Sequence, residues 1–117
     1  MNDETGDCYE AAFGWIFRHC LNFTADRKGD SNIFLVHGEV TGQGKIEGVK
    51  YGHAWVEDGG TVIDQSNGRN LVMPRQIYYR LGKIGTNIHR YTPEQARKKA
   101  VTTGVYGPWD LKTETGL

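Results

Sequence analysis

The sequence predicts a small α+β domain with an N-terminal helix packed on an antiparallel sheet, and three observations carry that expectation. Residues 7–21, "DCYEAAFGWIFRHCL", open with a helix-start pattern and continue with apolar residues at 11, 12, 13, 15, 16 and 17. Residues 49–57, "VKYGHAWVE", and 61–65, "TVIDQ", are β-prone stretches separated by Asp58-Gly59-Gly60, a hairpin signal. Helical patterns return only after the strands. The order is therefore helix, strands, then short helices, not the alternation that builds a parallel sheet.

Each element has its own local reason. Asp7 is a suitable N-cap for the first helix, and Glu10 three residues later completes a capping-box pattern. Residues 22–32, "NFTADRKGDSN", are polar and rich in turn formers, which predicts a loop. Residues 33–40, "IFLVHGEV", read as a strand, and "TGQGKIEG" at 41–48 as a turn or hairpin connection. "SNGRN" at 66–70 reads as loop. Pro74 then opens a short helix through "RQIYYRLG", stopped by Gly82. "TNIHRY" at 86–91 is a further strand. Thr92, with Pro93 and Gln95 behind it, starts a helix over "PEQARKKAVTTG". Tyr106 and Trp109 in the tail should pack down, while residues 1–6 and 112–117 are expected to be flexible ends. No repeat or linker divides residues 1–117, so a single domain is expected.

The totals narrow the function classes. The chain has 117 residues, with 14 basic and 14 acidic side chains and 38% hydrophobic residues. A neutral chain without a Lys/Arg run gives no electrostatic reason to bind nucleic acid. No apolar run approaches the roughly 20 residues of a membrane span, and the acidic start "MNDETGD" is unlike a secretory signal. A cytoplasmic location is therefore expected, with no nucleic-acid or membrane partner; oligomeric state leaves no mark. Cys8 and Cys20 sit twelve positions apart in one predicted helix, roughly 18 Å at 1.5 Å per residue. That is too far for a disulfide. No short-spaced pair of ligands predicts a metal site, and no cofactor motif is present.

Cys8 falls at the first position of the first helix. There a thiolate meets unpaired backbone N–H groups and the positive end of the helix dipole, and the same N–H groups can receive an oxyanion. A cysteine nucleophile also needs an imidazole, and the imidazole an acceptor on its other nitrogen. The hairpin supplies both. A two-residue Gly59-Gly60 turn pairs Asp58 with Thr61 and makes His53 and Asp64 diagonal neighbours on one face. A three-residue turn would instead bring Gln65 beside His53; either register supplies an orienting group, and the two-residue turn, with Asp64, is favoured. Trp55 is expected in the core, with a smaller chance that it lines a substrate groove, and Gln65 is a weaker candidate for substrate or oxyanion contacts. Cys20, His19, His37 and His89 have no pattern around them and are expected to be structural.

The run Gly-Asp-Cys8 opening a helix, then "GHAWVE" with His53, then "VID" with Asp64, resembles the papain-like cysteine peptidase superfamily and its transglutaminase-like branch. The resemblance covers residues 6 to 66. It implies a papain-like core with Cys8 as nucleophile, His53 as general base and acid, and Asp64 as orienter. It further implies hydrolysis or acyl transfer at an amide bond of a peptide or small amide substrate. "MNDETGD" lacks the glutamine that precedes the cysteine in papain, so the oxyanion hole would rest on the Cys8 N–H and a second donor. A non-catalytic binding or inhibitor protein that keeps the same fold is the alternative reading.

Overall fold

The computed structural model describes residues 7–21, 32–42 and 44–117. The terminal segment 1–6 and most of the predicted 22–32 loop lie outside the described residues. Helix α1 runs Cys8–Ile16, followed by one wider π-type turn at Phe17–Leu21. Strands β1 (Ile33–Thr41), β2 (Lys50–Asp58), β3 (Thr61–Asp64) and β4 (Leu71–Pro74) precede helix α2 (Arg75–Leu81). Strand β5 (Ile88–Tyr91) and helix α3 (Pro93–Thr103) complete the fold. The strands form one antiparallel sheet in the order β4-β3-β2-β1-β5. The α+β layout of an N-terminal helix on an antiparallel sheet is therefore as the sequence predicts.

The central strands are apolar on both faces because helices cover both. On one face Cys8, Ala12, Phe13 and Ile16 of α1 and Ala96 of α3 pack with Leu35, Ala54, Val56 and Tyr91. Their spacing along α1 is that of a single helical stripe. On the other face Trp55, Val36, Val40 and Val62 form a second cluster, packed against Tyr78 and Tyr79 of α2. The alternation of β2 thus sends Ala54 and Val56 toward α1, and Tyr51 and Trp55 toward α2.

The β2–β3 hairpin turns at Gly59-Gly60 with Asp58 opposite Thr61. Gly59 has φ of 66°, a conformation that favours glycine. Helix α3 carries the full capping box expected of Thr92 and Gln95.

Three local expectations need correction. Asp7 precedes α1 but makes no side-chain cap hydrogen bond. Its carboxylate accepts instead from the Asn67 backbone N–H at 2.8 Å, so a tertiary donor has replaced the local one. Residues 71–74 form strand β4, where the sequence suggests only the approach to a helix. Leu71 to Pro74 become a strand by pairing with β3, and Pro74 sits at its last position, on the sheet edge. Residues 112–117, expected to be loose, lie against the sheet. The Asn87 side-chain amide donates to the Lys112 carbonyl at 2.9 Å, and the Glu114 N–H donates to the Glu39 carboxylate at 2.7 Å. Local polarity does not reveal such long-range partners.

Candidate active site

The site forms where β3 leaves β2. The ladder between them ends at Val56 opposite Ile63. Beyond Asp64 the chain makes a tight turn at Ser66–Gly68, and the start of α1 is tied to that turn through the Asp7–Asn67 bond. The tip of the helix is thereby brought to the section of β2 that carries His53.

The predicted diagonal holds. His53 Nε2 lies 3.0 Å from Asp64 Oδ2. Continuing the observed register by one residue would set Trp55 opposite Asp64, so the two-residue turn is what puts the carboxylate and the imidazole on one face. The Cys8 thiol stands close enough to the His53 ring to help raise its pKa. With Nε2 donating to Asp64, Nδ1 is the nitrogen left for sulfur. The structure thus brings Cys8, His53 and Asp64 together in the order thiol, ring, carboxylate.

Asp64 is buried and held by four donors. Besides His53, the Tyr78 hydroxyl donates to Oδ2 at 2.7 Å, and the Ser66 N–H and hydroxyl donate to Oδ1 at 3.0 and 2.7 Å. Burial alone would raise its pKa. The bonds and charge of His53 and the Ser66 donors outweigh that and hold the carboxyl well below its usual range. Burial would likewise push His53 down, but the interactions with Asp64 and Cys8 prevail and raise it to about 9. The ring is cationic at neutral pH. Desolvation and the Asp64 charge push the Tyr78 hydroxyl upward, so it remains a donor.

Trp55 is fully buried, and its indole N–H donates to Glu57 at 3.1 Å. Its ring centroid is 6.1 Å from that of His53, and it lines neither of the two cavities beside the site. Gln65 is committed elsewhere: it accepts from Arg18 at 3.1 Å and donates to Asn70 at 3.1 Å. Tyr78 and Ser66 were not legible as supports of Asp64. Tyr78 reads as helix packing, and Ser66 extrapolates to a position opposite His53 before the chain turns away.

A cavity of about 580 Å³ opens beside the ring, lined by His53, Asp64, Tyr51, Tyr78, Lys45 and Arg69 among others. A second, of about 540 Å³, lies on the other flank of the helix start against Asp7, Glu10 and Phe13. Cys8 is 4% exposed and lines neither. Three backbone N–H groups at the start of α1 precede the first intrahelical bond, from Ala11 to Asp7. Among the described residues no three His, Cys, Asp or Glu side chains converge so as to hold a metal ion.

Searches of known protein families, curated proteins and solved structures find no match for this chain. Its function must be argued from the site itself.

Proposed function

We propose that the protein is a cysteine-dependent hydrolase or acyl transferase acting on amide bonds, with a papain-like, transglutaminase-like arrangement of Cys8, His53 and Asp64. The observation that carries this reading is the His53 ring, held by a buried carboxylate through Nε2 at 3.0 Å, with the thiol of a helix-start cysteine near enough to influence it. A structural histidine needs one satisfied partner. A ring strung between a thiol and an otherwise saturated carboxylate is the arrangement that nucleophilic catalysis requires.

The steps follow from the geometry. Cys8 Sγ, its proton now on His53 Nδ1, attacks the carbonyl carbon, forming an S–C bond as the carbonyl electrons move onto oxygen. The Cys8 N–H at the helix start donates a hydrogen bond to that oxyanion. His53 gives its Nδ1 proton to the leaving amine, the C–N bond breaks, and a thioester remains. His53 then takes a proton from water or an incoming amine, which attacks the thioester and expels the thiolate. Asp64 keeps the ring in the tautomer and orientation that both halves need. The substrate is a peptide or small amide, and the cavity beside His53 is where its body would rest.

The non-catalytic reading draws on one observation, the 4% exposure of Cys8, and one experiment separates the two. Iodoacetamide at neutral pH should alkylate Cys8 at least ~10-fold faster than Cys20, as a thiolate outpaces a thiol. p-Nitrophenyl acetate should give a burst of nitrophenol that Cys8→Ala abolishes while circular dichroism stays unchanged. Equal labelling of the two cysteines, or an undiminished burst in the alanine variant, would retire the catalytic reading.

A further inference from the structure

Strand β2 pairs with β1 along its whole length but with β3 only from Val56 to Asp58. The β3-side edge from Lys50 to Trp55 is left open by the sheet, and His53 lies on it. An open edge offers its N–H and C=O groups to any extended chain.

Part of this edge is taken by the protein's own residues. The Gly52 N–H donates to the Leu117 carbonyl at 3.3 Å, and the Thr115 hydroxyl donates to the Lys50 carbonyl at 2.7 Å. The Lys50 ammonium meets Glu114 at 3.2 Å. A second observation places this contact against the site. A Cβ on Gly52 would stand 2.6 Å from the hydroxyl of Tyr9, the neighbour of Cys8, and 3.1 Å from Leu111. Glycine at 52 lets the Tyr9 hydroxyl come this close to β2, and the Leu117 carbonyl lies 3.6 Å from the same point.

We infer that the open edge of β2 at Lys50–Gly52 is a docking strip for an extended polypeptide. Residues 114–117 occupy it in cis, and a substrate chain displaces them to reach Cys8 and His53. The last step rests on the proposed function; the docking does not. The ligand is an extended segment with an acidic side chain for Lys50, a hydroxyl for the Lys50 carbonyl and a main-chain carbonyl for Gly52. This is strand addition, in which backbone bonds hold the chain and side chains select it. The hold in cis is open to exchange. Besides the Glu114 N–H bond to Glu39, it consists of one long backbone bond, one hydroxyl bond and an exposed ion pair, a class of contact that contributes little in water, and Leu117 is 68% exposed.

The test uses the full chain carrying Glu114→Lys and Thr115→Val, with a fluorescein-labelled peptide of sequence DLKTETGL as probe. Weakening a competitor held at millimolar effective concentration should tighten peptide binding by ~10-fold or more over the unaltered chain. Adding Lys50→Glu should cut that gain ~3-fold, the scale of an exposed pair, and a peptide carrying Glu114→Lys should restore it. Thr115→Val alone, which removes one hydroxyl and no charge, should give a smaller gain in the same direction and serves if the double variant does not fold. Equal peptide binding by the altered and unaltered chains would overturn the docking strip. Peptide binding with Cys8 no more reactive than Cys20 would keep the strip and retire the catalytic reading. Fast Cys8 alkylation without peptide binding would do the reverse.

Discussion

Asp64 shows how much of the chemistry is set by one side chain's surroundings. Its two oxygens take four hydrogen bonds, from His53, Tyr78 and both donors of Ser66, so it can neither rotate nor take up a proton at neutral pH. That rigidity orients His53 and keeps it charged. A raised histidine pKa is a proton held more tightly by the folded state. Its contribution to stability is complete below the ordinary value of 6.5 and is lost as pH rises through about 9. Turnover that needs the imidazolium proton for the leaving amine should fade over the same alkaline range. Asp64→Asn keeps the shape but removes the charge. It should lower turnover by about 10²–10⁴-fold and return the His53 titration toward its usual range, as read by NMR of the imidazole. An unmoved titration would show that Asp64 does not set the state of the ring.

At the scale of elements, the second acidic residue of the hairpin matters as much for stability. Glu57 is buried on the face opposite α1, where its carboxylate accepts from the Trp55 indole, the Tyr79 hydroxyl and Arg90, with Arg75 at 3.5 Å. It therefore joins β2, α2 and β5. α2 is only seven residues long, too short to be stable without such contacts. Its docking also carries Tyr78 to Asp64, so the network indirectly supports the site. Glu57→Ala would leave buried donors without an acceptor. It should cost about 2–4 kcal/mol in urea denaturation, with a larger loss of Cys8 reactivity than global unfolding explains. α2 was legible from Pro74 and Gly82. β4 was not, because four residues ending in proline become a strand only through β3.

The whole molecule is sensed by His37. Its ring is fully buried, with neither nitrogen hydrogen-bonded to a described residue, among Tyr9 of α1, Tyr91 of β5 and Trp109 of the tail. Burial, reinforced by His89 and opposed by Asp110, pushes its pKa down to about 4. The unfolded chain therefore binds the extra proton between about 4 and 6.5, and stability rises with pH across that window. The full effect is ~3 kcal/mol. Because the His53 contribution is lost above 6.5, denaturation midpoints should peak near neutrality. His37→Leu should flatten the acid limb; an unchanged acid limb would show that His37 stays neutral for another reason. The sequence marked His37 only as a structural residue of a strand, since the three aromatic rings around it come from distant segments.

By itself the sequence determined the order of the helices and of every strand but β4, the placement of Cys8 at a helix start, and the hairpin register that makes His53 and Asp64 diagonal neighbours. These depend on periodicity, turn chemistry and strand alternation within about fifteen residues of each other. The tertiary structure alone decided that the helix start meets the hairpin, that Tyr78 and Ser66 saturate Asp64, and that the tail lies along β2. Those contacts join residues far apart in the chain, where closing the loop and burying the apolar faces, not local preference, choose the partners.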